Sequence, residues 1–445
     1  MTSLAVDLHD NPLDQATDQF PSRSVAWAAV AVLATLNGFA FLDRQIISLL
    51  VAPMRQDLGI SDLQISLLQG FSFALLYAIG GLPLGYAADK YSRRLVVFFG
   101  VLIWSLAAMA CGLAQSYGQL LAARILVGLG EAALAPAAFS ILSDMFPRKR
   151  LTFALGVYGL GSIIGMSVSL LVSAAILQLF ADGVTLPLLG HLHSWQAAFV
   201  MTGAPGVIAA FLIFTIPEPR RHGSSLGDGT WADVFTFIRA RRTFFTCHIV
   251  GFTCILTITY AQIWTPTFIA RTYGWPMAQT ALALAAFSLA TNAFSLLFSG
   301  RTVDILQRRG VTDAHFRYYC VAACVLIVAG GSSYWAPQPW LFFVLAAIAY
   351  VPMNMQAVGA SAIQVVTPAG IRGRVSALYL MVCGLFAQTM GPTTVAFFTD
   401  YVFHRDTAIN MSLSATCLLY APIALVAFLI GLKPMRDAVA RFGKE

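Results

Sequence analysis

Apolar stretches of bilayer-crossing length recur twelve times along this chain, at residues 25–52, 62–87, 95–115, 118–143, 151–178, 195–216, 243–270, 277–300, 318–336, 338–366, 373–400 and 407–432. About 20 apolar residues in a helix cross a hydrocarbon core. Inside it no water is present to satisfy a backbone N–H or C=O, so segments of this length must close their hydrogen bonds internally as α-helices. With 58% hydrophobic and 11% charged residues, the chain falls outside the soluble globular class. The expected fold class is therefore an all-α membrane protein with twelve transmembrane helices in two six-helix bundles.

One long polar stretch, 217–242, separates the sixth and seventh segments, opening with Pro217 and Pro219 and including Gly227 and Gly229. It divides the chain into a tail (1–24), a first bundle (25–216), a linker (217–242), a second bundle (243–432) and a second tail (433–445). The first tail carries Asp7, Asp10, Asp14 and Asp18 and has no apolar core, so it reads as solvated and not as a cleaved signal. In the linker, Trp231, Phe235 and Ile238 recur at helical spacing before Arg239, Arg241 and Arg242, as in an amphipathic helix lying on an anionic membrane face. Of the 27 Lys and Arg, 22 fall on the side holding both ends, and apart from the intramembrane Arg44 and Arg124 only Arg55, Arg271 and Arg405 fall on the other. The positive-inside rule then places both termini in the cytoplasm of a cell or inner membrane. The net charge of +7 describes that membrane face, and a nucleic-acid partner is not expected.

Four ionisable residues sit within spanning segments: Asp43 and Arg44 in the first, Arg124 and Glu131 in the fourth. Each such group costs roughly 2.5–3.5 kcal/mol at the centre of a spanning helix, so buried charges turn towards a bundle interior or a watered path. Arg124 and Glu131 are seven residues apart and return to one helix face within about 20°. Asp43 and Arg44 differ by about 100°, so Arg44 is read as either a gating contact or a packing group. The bland alternative for the cluster is a structural ion network. His248, the only histidine expected within a spanning helix, reads as a hydrogen-bonded helix residue.

The halves repeat one another. Gly85, Asp89, Arg93 and Arg94 after the second segment recur as Gly300, Asp304, Arg308 and Arg309 after the eighth, each 215 residues on. The stretch from Gly85 to Arg94 resembles the loop signature of the major facilitator superfamily, and Arg124-Ile-Leu-Val-Gly128-Leu-Gly130 resembles its helix-4 signature. Within that superfamily, Leu42-Asp43-Arg44 together with Arg124 and Gly128-Leu-Gly130-Glu131-Ala132 is similar to the Spinster lipid transporters. The resemblance implies a major facilitator fold with alternating access, and a cytoplasmic latch in which Asp89 and the two arginines, with their second-half counterparts, favour one conformational state.

Polar residues at mid-helix mark the expected cavity wall: Asn37, Gln69, Tyr77, Tyr260, Gln262, Asn292, Asn354, Gln356 and Gln388, with Phe139 among interleaved aromatics. Charge near the first and fourth helices beside aromatic walls suits an amphiphile whose anionic head meets Arg124, and the Spinster resemblance implies an anionic lipid of lysophospholipid or sphingolipid type. Arg124 shared between Glu131, Asp43 and the head group would couple substrate to protons. A carrier of small organic anions or drugs is the alternative, and a membrane-embedded enzyme or sensor the alternative of another class. No nucleophile–base set, nucleotide loop or metal spacing is visible among the loops, so no catalytic residue, cofactor or metal is expected. The seven cysteines read as packing residues, His191 and His193 as loop residues, membrane lipids as the solvent and the chain as a monomer.

Overall fold

The computed structural model describes residues 20–187, 190–221, 230–353, 356–368 and 370–442; the first tail therefore lies largely outside the described residues, as do Gly227 and Gly229. Ten helical segments are long and apolar enough to cross a bilayer. In the first half these are spans 1 (Arg23–Leu58), 2 (Asp62–Gly81), 3 (Arg93–Gly112), 4 (Tyr117–Met145), 5 (Phe153–Leu179) and 6 (Ser194–Thr215). In the second half they are spans 7 (Arg242–Tyr273), 9 (Ala314–Ser333), 11 (Arg372–Val402) and 12 (Asp406–Ala440). The helix Met277–Arg308 is span 8, and Pro339–Met353 with the helix Gln356–Val366 forms span 10. The last helix runs on to Phe442. Span 9 begins at Ala314, four residues earlier than its hydropathy indicates, which brings a second histidine, His315, into a helix. A short antiparallel hairpin pairs Val184–Leu186 with Gly190–Leu192 between spans 5 and 6.

Several spans are interrupted near mid-length, and the polar residues gather at the interruptions. Span 1 turns at Ile46, two residues past Arg44, where the Ser48 hydroxyl donates back to the Gln45 carbonyl at 2.7 Å. The helix Asp62–Gln69 ends at Gly70, the helix Tyr117–Glu131 ends at Glu131, and a 3₁₀ turn Gln262–Trp264 breaks span 7. Interrupted spanning helices expose main-chain groups that only a protein interior or a watered cavity can satisfy.

Within the first half, spans 1 and 5 pack backbone to backbone. A β-carbon on Gly161 or Gly165 would collide with the carbonyls of Ala34 and Gly38, so these positions admit only glycine at this separation. Asn37 donates to the Tyr158 carbonyl at 3.4 Å and Ser169 to the Leu42 carbonyl at 2.7 Å along the same seam.

Hydrogen bonds and ion pairs join the two halves at the face opposite the chain ends. Arg271 donates to both carboxylate oxygens of Asp62 at 2.7 and 3.1 Å, and Arg55 bridges Asp62 at 3.1 Å and Asp406 at 2.8 Å. The Leu63 amide donates to Asp400 at 2.8 Å, and the Ser66 hydroxyl to the Pro392 carbonyl at 2.9 Å. Asp62, Asp400 and Asp406 come close enough to share an ion, but the two guanidiniums already supply the cationic charge.

Candidate functional site

The four intramembrane charges come together, though not in the pairing that helix geometry alone suggests. Glu131 is fully enclosed and accepts from the Arg44 Nε at 2.6 Å. Arg124 is only 1% exposed and points one guanidinium nitrogen at the Asp43 main-chain carbonyl, 3.3 Å away. Of the two readings left open for Arg44, the contact is the one seen, and Arg124, expected to be shared between Glu131, Asp43 and a head group, bonds the Asp43 backbone. A 100° offset constrains where a side chain leaves the helix, not where a three-carbon arginine stem ends, and Asp43 takes part through its backbone. Both neighbours therefore reach the cluster.

Three polar atoms in the cluster are buried without a hydrogen-bond partner: Asp43 Oδ1, Arg124 Nε and Glu131 Oε1. Each such atom costs about 1–3 kcal/mol, more when charged, so a network left this incomplete is a poor stabilising device. Arg44 is the exception in access, with 23% of its side chain exposed against none of Glu131. Aromatic rings collar it: its guanidinium carbon lies 4.4 Å from the Phe73 ring centre, 4.7 Å from Phe41 and 5.0 Å from Tyr77. Tyr260, from the second half, also lies within electrostatic reach of Arg44. Arginine suits this place because its planar, weakly hydrated cation stacks on rings while its edge donates to a carboxylate.

The other wall candidates divide. Tyr77 stacks on Phe73 at 5.2 Å, and Phe139 packs edge-on against Tyr158 at 5.7 Å and is half exposed. Gln69 is buried with neither amide atom partnered, directly before the break at Gly70. Gln262 sits in the span 7 turn, its amide 3.7 Å from the Met353 sulfur. Asn37 serves the seam between spans 1 and 5. Asn292 and Gln388 are part-buried on spans 8 and 11. Gln356 begins the second part of span 10, and Asn354 lies outside the described residues. The aromatic collar is legible in sequence only as part of the general phenylalanine and tyrosine content; the helix interruptions leave a fainter signal, in glycines and prolines within apolar runs.

At the face holding the chain ends, Arg93 is buried. It pairs with Asp144 at the end of span 4 and donates to Glu218 at 2.9 Å and to the Pro219 carbonyl at 2.6 Å. Arg94 donates to the Ile216 carbonyl at 2.8 Å, while the Ser92 hydroxyl and the Arg93 and Arg94 amides converge on Glu218. Burial opposes ionisation of Glu218, but these hydrogen bonds outweigh it and hold the carboxyl below its ordinary 4.5. Asp89 is exposed and, among the described residues, pairs with neither arginine, because the helix Phe71–Lys90 ends beside it while both guanidiniums turn towards the linker. Sequence reading missed Asp144 and Glu218. In the second half Asp304, Arg308 and Arg309 are exposed, Gly300 is open, and the buried acid is Asp313, which accepts from Arg317 at 2.8 Å and lies 3.7 Å from Arg436.

Residues 33–392 match the profile of the Major Facilitator Superfamily. An MFS-type efflux pump of Mycolicibacterium smegmatis is 27% identical over 394 residues, covering 87% of each chain. Protein spinster of Drosophila melanogaster is 28% identical over 249 residues, which is 55% of this chain but only 39% of that protein. The fold superimposes with a TM-score of 0.75 on a solved bacterial homolog of the human lysosomal transporter Spinster, described as inward-facing and unoccupied, at 20% identity and covering 95% of this chain and 99% of that one. The relatives and the fold are those of transporters and not of enzymes. This chain belongs to the major facilitator superfamily and is a multi-pass membrane transporter whose relatives include the Spinster proteins.

Proposed function

We propose that this transporter is a proton-coupled secondary carrier of an amphiphilic, anionic lipid of lysophospholipid or sphingolipid type, working by alternating access with both termini in the cytoplasm. The observation that carries the reading is the Arg44–Glu131 pair, in which a reachable cation covers an unreachable acid. An anionic head group entering the cavity meets Arg44 first, between rings that suit an apolar chain. Drawing Arg44 onto the head group leaves Glu131 a buried carboxylate without its nearest cation, and a proton then neutralises it. Substrate and proton are linked because each changes the other's affinity for the same cluster. Arg124 and Asp43 hold the second layer of the cluster in this scheme. The clasp of Arg55, Asp62, Arg271 and Asp406 on the far face supports a form open towards the cytoplasm, and the loop holding Asp89, Arg93 and Arg94, with its second-half counterpart, biases the balance between states.

The efflux-pump relative, matched over 87% of its length, favours a second reading, a carrier of small organic anions or drugs. Proteoliposomes distinguish the two. Under an imposed pH gradient, an anionic lysophospholipid or a phosphorylated sphingoid base should move in preference to sugar acid or cationic dye. Glu131→Gln, which mimics a permanently protonated acid, should bind and exchange substrate yet lose gradient-driven uptake. Driven uptake at the wild-type rate in that variant would remove Glu131 as the proton carrier, and preferential movement of dye or sugar acid would favour the second reading.

A further inference from the structure

A second cationic site lies outside the central cavity, where the linker meets span 7. The surface helix Trp231–Ala240 is started by Thr230, whose hydroxyl accepts from the Asp233 amide while the Asp233 carboxylate accepts from the Thr230 amide at 2.6 Å. It docks on the bundle through Val234, which is fully buried, and Phe237, whose ring packs edge-on against Phe245 at 5.8 Å. About 100° around the helix, Trp231 and Phe235 stand exposed, their ring centres 6.5 Å apart, with Arg239 following on the same stripe.

Where this helix ends, Arg239, Arg241 and Arg242 surround a cavity of about 280 Å³ closed on its other side by Pro434 and Asp437 of the last helix. Among the described residues no carboxylate lies within ion-pairing distance of any of the three guanidiniums, Asp437 included, and neither Arg239 nor Arg242 makes a side-chain hydrogen bond. Arg241 lies over the Phe237 ring at 4.2 Å, and its Nε is buried without a partner. Thr243 and Phe244, from the first turn of the helix Arg242–Ala261, line the same cavity. Three unpaired cations around one cavity repel one another unless an anion sits among them.

We propose that this cavity binds the phosphate head group of an anionic membrane phospholipid, whose acyl chains run beside the exposed Trp231 and Phe235. The aromatic stripe selects a lipid over a free anion, because indole and phenyl groups settle at the level where head groups meet hydrocarbon. Basic clusters on amphipathic helices beside spanning segments are sites of this chemistry. The site is independent of the transport reading, since it shares no residue with the Arg44–Glu131 cluster.

The test uses the purified full-length chain in detergent, titrated with dioleoyl phosphatidylglycerol, dioleoyl phosphatidylcholine or inorganic phosphate, and read by native mass spectrometry and by melting temperature. Phosphatidylglycerol should be retained and raise the melting temperature, while phosphatidylcholine and phosphate should do neither. In Arg239→Gln/Arg242→Gln, two exposed positions whose change should leave folding intact, the apparent affinity for phosphatidylglycerol should fall about thirtyfold. Arg308→Gln/Arg309→Gln, which removes two exposed arginines elsewhere on the same face, should leave it unchanged. Equal retention of phosphatidylcholine, equal stabilisation by inorganic phosphate alone, or undiminished phosphatidylglycerol binding in the first double variant would each overturn the proposal.

Discussion

The two halves share one architecture and differ in what they bury. The first half encloses Asp43, Arg124 and Glu131 with the part-covered Arg44, a set of charges with several buried atoms unsatisfied. The second half encloses rings: His248 stacks on Tyr379 at 4.7 Å and 4°, with its Nε2 3.4 Å from the hydroxyls of both Tyr319 and Tyr379, amid Phe244, Phe252 and Phe316. The surface loops differ in the same sense, since Arg93 and Arg94 are strapped to the linker while Arg308 and Arg309 are exposed and, among the described residues, make no such contact. A repeated fold therefore does not mean a repeated task. The intramembrane charges are gathered in the first half, and Tyr260 of the second half lies within electrostatic reach of Arg44.

Substitutions that treat the halves alike should produce unlike effects. Arg44→Ala leaves Glu131 buried without its partner and should cost about 3–5 kcal/mol in stability along with substrate binding. Arg44→Lys, which keeps charge but loses the planar fork, should recover part of the stability and less of the binding. Thermal melting beside equilibrium binding decides this, and an Arg44→Ala protein that melts and binds like the wild type would erase the distinction between the halves. His248→Phe, in the second half, keeps the ring and removes hydrogen bonding; it should cost about 1–2 kcal/mol and, under the proposed coupling, leave the number of protons moved per substrate unchanged. A changed stoichiometry would move part of the proton chemistry into the second half.

The smallest effect belongs to the strapped loop. Glu218→Gln should cost about 1 kcal/mol near neutral pH. Because the folded protein holds this carboxyl below its ordinary 4.5, its contribution is complete above that value and is lost as pH falls through the lower folded value. The wild-type melting temperature should thus fall more steeply below about pH 4.5 than that of Glu218→Gln. Parallel curves would show that the strap contributes nothing that its second-half counterpart lacks.

Much of this was legible in the residues, and the limits have physical causes. Spanning length, the two-half organisation and the set of four intramembrane charges follow from hydropathy and from the cost of burying charge. Pairing within the set does not, because it depends on where a flexible arginine stem ends and on a turn at Ile46 that no glycine or proline marks. The partners of Arg93 were hidden for a different reason. Asp144 and Glu218 lie 51 and 125 residues away, and only the packing of span 4 and the linker against one loop brings them within reach. Hydropathy starts span 9 four residues too late because Arg317 and His315 depress it locally although His315 is buried against Ser361.

The glycine seam between spans 1 and 5 has a mechanical consequence. With Gly161 and Gly165 pressed against the carbonyls of Ala34 and Gly38, and Ser169 bonded to Leu42, the two helices cannot slide past each other and move as one lever. The far side of that lever, span 5, packs along span 8 of the opposite half. Asp43 and Arg44 follow directly after the last bonded residue of the seam, Leu42. Arg44 therefore rides on the same two-helix unit that faces span 8, and any tilt of that unit against span 4 is read at the Arg44–Glu131 pair.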